Sequence, residues 1–203
     1  MNNNSIVTNI IVSGVGGQGS ILTSHLLAEA ALIEGHEVKL AETFGAATRG
    51  GSVYAHVRVG EVWAPMMRED EADAVISLEP LEGLRVGLKF LKPGGSAIIN
   101  THPWYPVDVT VGRAKYPSIS TIIDAFRKIN ANIHCIDATS LALEAGDSRA
   151  VNSVVLGGLI ALDILPITRE SIFTAMSEKW KEKLVRINEK AFDLGFDYIK
   201  SII

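Results

Sequence analysis

Apolar residues follow two rhythms along this chain. Short apolar runs, such as Ile10-Ile11-Val12 and Val75-Ile76, alternate with longer stretches in which apolar positions recur every third or fourth residue. The short runs fit strands buried on both faces, and the longer stretches fit amphipathic helices. Strands are expected at 6–12, 38–42, 52–59, 73–78, 96–100 and 133–137. Helices are expected at 20–34, from Glu79-Pro80 through Leu81, Leu84, Leu88 and Leu91, and at 119–129, 139–145, 150–163, 167–178 and 184–203. Strand–helix alternation of this kind predicts an α/β fold: a three-layer, Rossmann-like, mostly parallel sheet with helices on both faces. The length suits one domain over residues 1–203.

Several stretches modify that plan. Residues 52–59 alternate strictly, with Val53, Ala55, Val57 and Val59 on one side and Tyr54, His56 and Arg58 on the other. The polar side is expected to meet water or a partner. Gly60-Glu61 reads as a turn into a return strand at Val62-Trp63-Ala64, which would insert a β-hairpin. Lys92-Pro93-Gly94-Gly95 is a turn signal. Residues 101–118 hold Pro103, Pro106, Gly112 and Pro117 and read as an irregular excursion with a short strand at 107–111. The helix at 150–163 is apolar nearly all round and contains Gly157-Gly158, which predicts a buried helix closely approached by another backbone. Leu184, Ile187, Ala191, Leu194 and Tyr198 form the stripe by which the last helix is expected to cover the core.

Composition narrows the function. The chain has 203 residues, 47% hydrophobic and 21% charged, and a net charge of -4. It therefore has a substantial core and no bulk attraction to nucleic acid or anionic lipid. A single cysteine, Cys135, excludes an intrachain disulfide and suits a reducing, cytoplasmic location. No CxxC occurs, so this chain alone lacks the ligands of an iron–sulfur cluster. Residues 1–5 do not resemble a signal peptide, and the apolar run at 151–164, interrupted by Asn152 and Ser153, is too short to span a bilayer. No hydrolase or phosphate-loop motif is present. His25, His36, His56, His102 and His134 have no metal-ligand spacing, and the acidic run Glu69-Asp70-Glu71 with Asp73 reads as a solvated face. Neither a catalytic set nor a metal site is expected.

The chemistry-bearing stretch is Gly14-Val15-Gly16-Gly17-Gln18-Gly19, between the first strand and the first helix. Glycines at this spacing permit a tight turn, close approach of another backbone or ligand, and close helix–strand contact at an anion-attracting helix start. Gly14, Gly16, Gly17, Gln18 and Gly19 are thus candidate cofactor-binding residues, with pure tight packing as the alternative. Glu42 stands near where a dinucleotide fold places its ribose-binding acid, but reads more simply as a strand-end carboxylate facing water. The loop at 43–51 runs into the third strand, and Thr48, Arg49, Gly50, Gly51 and Ser52 form a candidate active-site or partner-facing segment. A guanidinium there offers a planar fork to a carboxylate or phosphate, or is simply solvated. Met66-Met67 fits either an interface or the core.

The glycine motif, together with Phe44-Gly45-Ala46-Ala47-Thr48-Arg49-Gly50-Gly51-Ser52-Val53 and His56-Val57-Arg58, resembles the gamma-type subunit of 2-oxoacid:ferredoxin oxidoreductases. The branch it looks most like is the beta subunit of indolepyruvate ferredoxin oxidoreductases. Leu78-Glu79-Pro80-Leu81-Glu82, Leu91-Lys92-Pro93-Gly94-Gly95, Arg149-Ala150-Val151-Asn152 and Leu165-Pro166-Ile167 extend the resemblance, in order, over nearly the whole chain. The resemblance implies a subunit that is inactive alone. It would help complete a site where a 2-oxoacid, coenzyme A and oxidised ferredoxin give acyl-CoA, carbon dioxide and reduced ferredoxin. Thiamine diphosphate and [4Fe–4S] clusters would sit on a larger partner. A free-standing NAD(P)-binding enzyme or sensor domain, using Gly14, Gly16, Gly19 and Glu42, is the competing expectation.

Overall fold

A computed structural model describes residues 7–43, 45–105, 107–129 and 131–203. The expectations for the N-terminus through Ile6, for Phe44 and for Pro106 fall outside these residues. In chain order the elements are β1 (Thr8–Val15), α1 (Ser20–Ile33), β2 (Val38–Glu42), β3 (Ser52–Val59), β4 (Ala72–Ser77), α2 (Pro80–Phe90), β5 (Leu91–Asn100) and α3 (Val107–Thr110). There follow α4 (Ile119–Arg127), β6 (Asn132–Ile136), α5 (Ala138–Ala145), α6 (Val151–Ala161), α7 (Arg169–Lys179) and α8 (Glu182–Lys200).

The strands form one sheet in the order β2-β3-β1-β4-β5-β6. β1, β4, β5 and β6 pair in parallel, and β3 lies antiparallel between β1 and β2. Central strands feed both faces. Ile10 and Val12 of β1 join a core under α1, α5, α6, α7 and α8, whereas Ile11 joins a second core with Val86, Phe90, Ile122 and Phe126 of α2 and α4. This is the expected α/β sheet with helices on both faces.

β3 is the one antiparallel strand of the sheet, and its hairpin partner is the preceding strand β2, to which residues 43–51 connect it. The expected return strand at Val62-Trp63-Ala64 does not form. Both edges of β3 are already taken by β1 and β2. In addition, the Arg58 guanidinium draws the Ala64 and Met66 carbonyls to itself at 3.1 and 3.2 Å. The polar side of β3 is also largely covered, with Tyr54 and Arg58 half-buried. His56 is 2% exposed and lies against Phe90, with ring centroids 5.1 Å apart, beneath α2 and the segment after β3. Met67 is buried there and Met66 is exposed, so the two methionines divide between core and surface.

The segment at 107–111 forms a helical turn closed by Gly112 N–H to Val109 O at 3.0 Å, rather than a strand. β4 and β6 already occupy both edges of β5, where a following strand would have to pair. The Lys92–Gly95 turn is present as a bulge within β5. Ala72 faces Leu91 and Ala74 faces Ser96, so four residues oppose Asp73 alone, and Gly94 takes a φ of 78°.

The buried helix α6 crosses α8 through two glycines. A Cβ on Gly157 would lie 2.0 Å from Phe192 O, and one on Gly195 would lie 2.0 Å from Val154 O. This contact rotates the inward face of α8 to Val185, Ala191, Phe192, Gly195 and Ile199, leaving Leu184 and Tyr198 of the expected stripe 39% exposed.

Candidate functional site

β1 leads through α1 toward β2, whereas the neighbouring β4 leads through α2 toward β5. The strand order therefore reverses between β1 and β4, and a crevice is expected at their carboxyl ends. The chain's own groups line it. Gln18 Oε1 accepts the Val15 N–H at 2.7 Å, and Gln18 Nε2 donates to Leu78 O at 3.3 Å. Gly14 makes room for this side chain, since a Cβ there would stand 2.9 Å from Gln18 Oε1. Asn100, buried at the end of β5, continues the seam. It donates to Leu78 O at 3.1 Å and Thr139 Oγ1 at 3.2 Å, and accepts the Ala138 N–H at 3.1 Å. Two amides thus stitch the ends of β1, β4 and β5 to the start of α5.

The backbone that approaches Gly16 belongs to the 3₁₀ turn Ala46–Thr48. A Cβ on Gly16 would fall 2.4–2.5 Å from Thr48 C, Thr48 O and Ala47 O. Gly16 N–H donates to Gly51 O at 2.8 Å, and Gly50 N–H donates back to Gly16 O at 3.1 Å. Gly19, at φ 89°, precedes α1 and leaves space for Asn152, whose Nδ2 donates to Gly19 O at 3.2 Å. Gly17 is exposed, at φ 103°, with open space around its missing side chain.

The two candidate segments therefore come together as one structure. The glycine turn grips the 45–51 loop and holds it at the strand-end rim. Thr48, Arg49 and Gly50 are exposed on that loop, and Ser52 is exposed where β3 begins. Thr48 Oγ1 donates to Gly45 O at 2.7 Å, which stiffens the turn. The Arg49 guanidinium makes no hydrogen bond or ion pair among the described residues.

Glu42 does not stand free in water. It accepts from Ser24 Oγ at 3.1 Å and lies 2.9 Å from His25 Nε2, so it ties β2 to α1, and His25 is a helix-face residue. Among the described residues no His, Cys, Asp and Glu cluster could hold a metal ion, and no helix is long and apolar enough to cross a membrane. Burial pushes the Cys135 thiol upward, away from thiolate reactivity.

A further group at this rim was not singled out in the sequence. Glu79 is 1% exposed and caps α2 by accepting the Glu82 N–H at 2.8 Å. Its carboxylate also accepts the Tyr116 hydroxyl. Burial raises its pKa, against the opposing pull of Tyr116 and the Glu82 and Trp104 N–H groups. Burial and the adjacent carboxylate push the Tyr116 phenol up in turn. The sequence signal was a carboxylate before Pro80, at a strand-to-helix junction with no room for solvent. For Asn100 and Asn152 it was a lone amide inside an apolar run.

A mixed α/β sheet whose glycine turn clasps a cationic loop at the strand ends defines the class. Residues 9–198 match the pyruvate ferredoxin/flavodoxin oxidoreductase family, and the chain belongs to it. In particular, it is 43% identical over 189 residues to indolepyruvate oxidoreductase subunit IorB of Archaeoglobus fulgidus, covering 93% of this chain and 94% of that one. It is 30% identical over 187 residues to the pyruvate/ketoisovalerate oxidoreductases common subunit gamma of Pyrococcus abyssi, covering 91% and 92%. The fold is shared with 2-oxoglutarate:ferredoxin oxidoreductase from Magnetococcus marinus, at a TM-score of 0.71 and 24% identity. That match covers 97% of this chain and 31% of the longer one.

Proposed function

We propose that this chain is the small subunit of a 2-oxoacid:ferredoxin oxidoreductase of the indolepyruvate type, acting as one domain over residues 1–203. The strand-end rim then faces the reaction centre of a larger subunit. Thiamine diphosphate and [4Fe–4S] clusters belong to that partner in this reading, and coenzyme A and ferredoxin are co-substrates of the complex. The identity to the indolepyruvate relative, 43% against 30% for the pyruvate/ketoisovalerate one, supports the branch. The single half-buried cysteine supports a cytoplasmic setting. A dinucleotide-binding role finds its anchors engaged. Gly16 is covered by Thr48, and Glu42 is held by Ser24 and His25.

The observation that carries the site is Arg49: an exposed guanidinium without a partner among the described residues, on a loop fixed by two backbone hydrogen bonds to the glycine turn. Such a fork suits the carboxylate of a 2-oxoacid or a phosphate of coenzyme A. Thr48, Gly50, Gly51 and Ser52 shape the loop. Gly16 holds it, Gly14 and Gln18 tie the turn to Leu78, Gly19 seats Asn152, and Gly17 is the open, cofactor-facing position. In the reconstituted complex, Arg49→Ala and Arg49→Lys are expected to raise the Michaelis constant for one anionic substrate or lower turnover, because lysine keeps the charge without the fork. Stability should change by less than about 0.5 kcal/mol. Wild-type kinetics in both variants would remove Arg49 from the site.

A further inference from the structure

Between β5 and α4 the chain forms a strap along the same rim. Thr101 N–H donates to Ile136 O at 2.9 Å near the end of β6, and the strap returns past the end of β4, where Tyr116 meets Glu79. It displays Trp104 and Tyr105, each 55% exposed. Tyr105 is braced edge-on by Tyr116, with ring centroids 5.1 Å apart. Exposed rings held in place lose little freedom on binding, which suits them to anchor an interface.

We propose that Trp104 and Tyr105 form a docking ledge for the larger subunit, and that Glu79 is its positioning residue, acting through Tyr116. This rests on the reading of the chain as a subunit. The occupant follows from placement and charge. The ledge shares the strand-end rim with the Arg49 loop, so one approaching surface covers both. Arg113 and Lys115 stand exposed on the strap of a chain whose net charge is -4, which fits a partner face with apolar pockets and acidic neighbours.

The test is a titration of the purified larger subunit with this chain, read as half-saturation of the reconstituted activity and maximal rate. Trp104→Ala and Tyr105→Ala are expected to raise half-saturation about ten-fold with the maximal rate kept. Tyr116→Phe and Glu79→Gln, which leave Trp104 and Tyr105 themselves unchanged, should raise it about three-fold. Combining Tyr116→Phe with Tyr105→Ala should give less than the product of the single effects, because Tyr116 braces that ring. A purely structural role for Tyr116 would lower the melting temperature without that coupling, and would overturn the positioning claim. If Tyr116→Phe fails to fold, Glu79→Gln with Tyr105→Ala supplies the same cycle. Unchanged half-saturation in both surface variants would overturn the ledge. So would self-association of the free chain that Trp104→Ala abolishes, since a second copy would then be the occupant. Failure of the wild-type chain to associate at all would instead sink the subunit reading, and altered Michaelis constants at saturating subunit would belong to Arg49.

Discussion

At Gly16 the neighbouring atoms are backbone, not a flexible side chain that could swing away. The 2.4–2.5 Å separations to Thr48 and Ala47 make a methyl group there incompatible with the clasp. Gly16→Ala is therefore expected to cost about 1–3 kcal/mol and to free the loop, measured as a lower melting temperature together with new protease cleavage between residues 45 and 51. Gly17→Ala, with space around it but a φ of 103°, should cost only backbone strain of about 1 kcal/mol and leave the loop protected. His56 offers a pH test. Burial lowers its pKa first, and Arg58 and Lys89 lower it further. Above the free value of about 6.5 both folded and unfolded chains carry neutral His56, so it contributes no pH dependence. As pH falls below that value the unfolded chain binds a proton that the folded chain refuses, and stability drops by up to about 1.4 kcal/mol per pH unit for this one group. Urea midpoints between about pH 7.5 and pH 5.5 should show that loss. They should show less of it in His56→Gln, with the contribution of half-buried His134 remaining.

The crossing of α6 and α8 makes the next prediction. Gly157→Ala forces a methyl to within 2.0 Å of Phe192 O and must push the helices apart, at a cost of about 3 kcal/mol. Gly158→Ala meets only Ile199 and Ile98 side chains, at 3.0 and 3.4 Å. There the helical preference for alanine, about 1 kcal/mol, should offset the crowding. Chemical denaturation of the two variants separates these cases. Such elements were legible because their signals are local. The Gly157-Gly158 pair in an all-apolar helix reads directly as close backbone approach, and the bounds of β3 follow from alternation alone. The return strand after Gly60 was misread because a turn signal says nothing about whether a sheet edge is free. That depends on β1 pairing with β3 across 37 to 51 residues of sequence, from Val15–Ser52 to Thr8–Val59. The polar side of β3 was misread for a related reason, since what covers it comes from α2.

For the whole molecule, the order of elements was readable except at 62–64 and 107–111, and the site was half readable. The glycine motif and the Arg49 loop were each visible, but not that one exists to hold the other. Glu79, Asn100 and Asn152 act through partners between 22 and 133 residues away, which no local pattern records. The isolated chain is expected to show no iron–sulfur absorbance and no 2-oxoacid-dependent dye reduction, because it has one cysteine where a cluster needs about four. Adding the larger subunit should restore turnover, and robust turnover by the chain alone with thiamine diphosphate would contradict this.

The placement of β3 between β1 and β2 has a mechanical side. The Arg49 loop hangs from two legs of unequal firmness: β3 is laced into the middle of the sheet, and β2 is its outermost strand. Fraying starts at edges, so β2 can peel and re-zip while the β1–β3 ladder stays whole. The latch sits at Arg49 itself: the clasp at Gly16 touches Ala47 and Thr48 before it and Gly50 and Gly51 after it. The outer leg can therefore loosen and re-form while the guanidinium keeps its place on the rim.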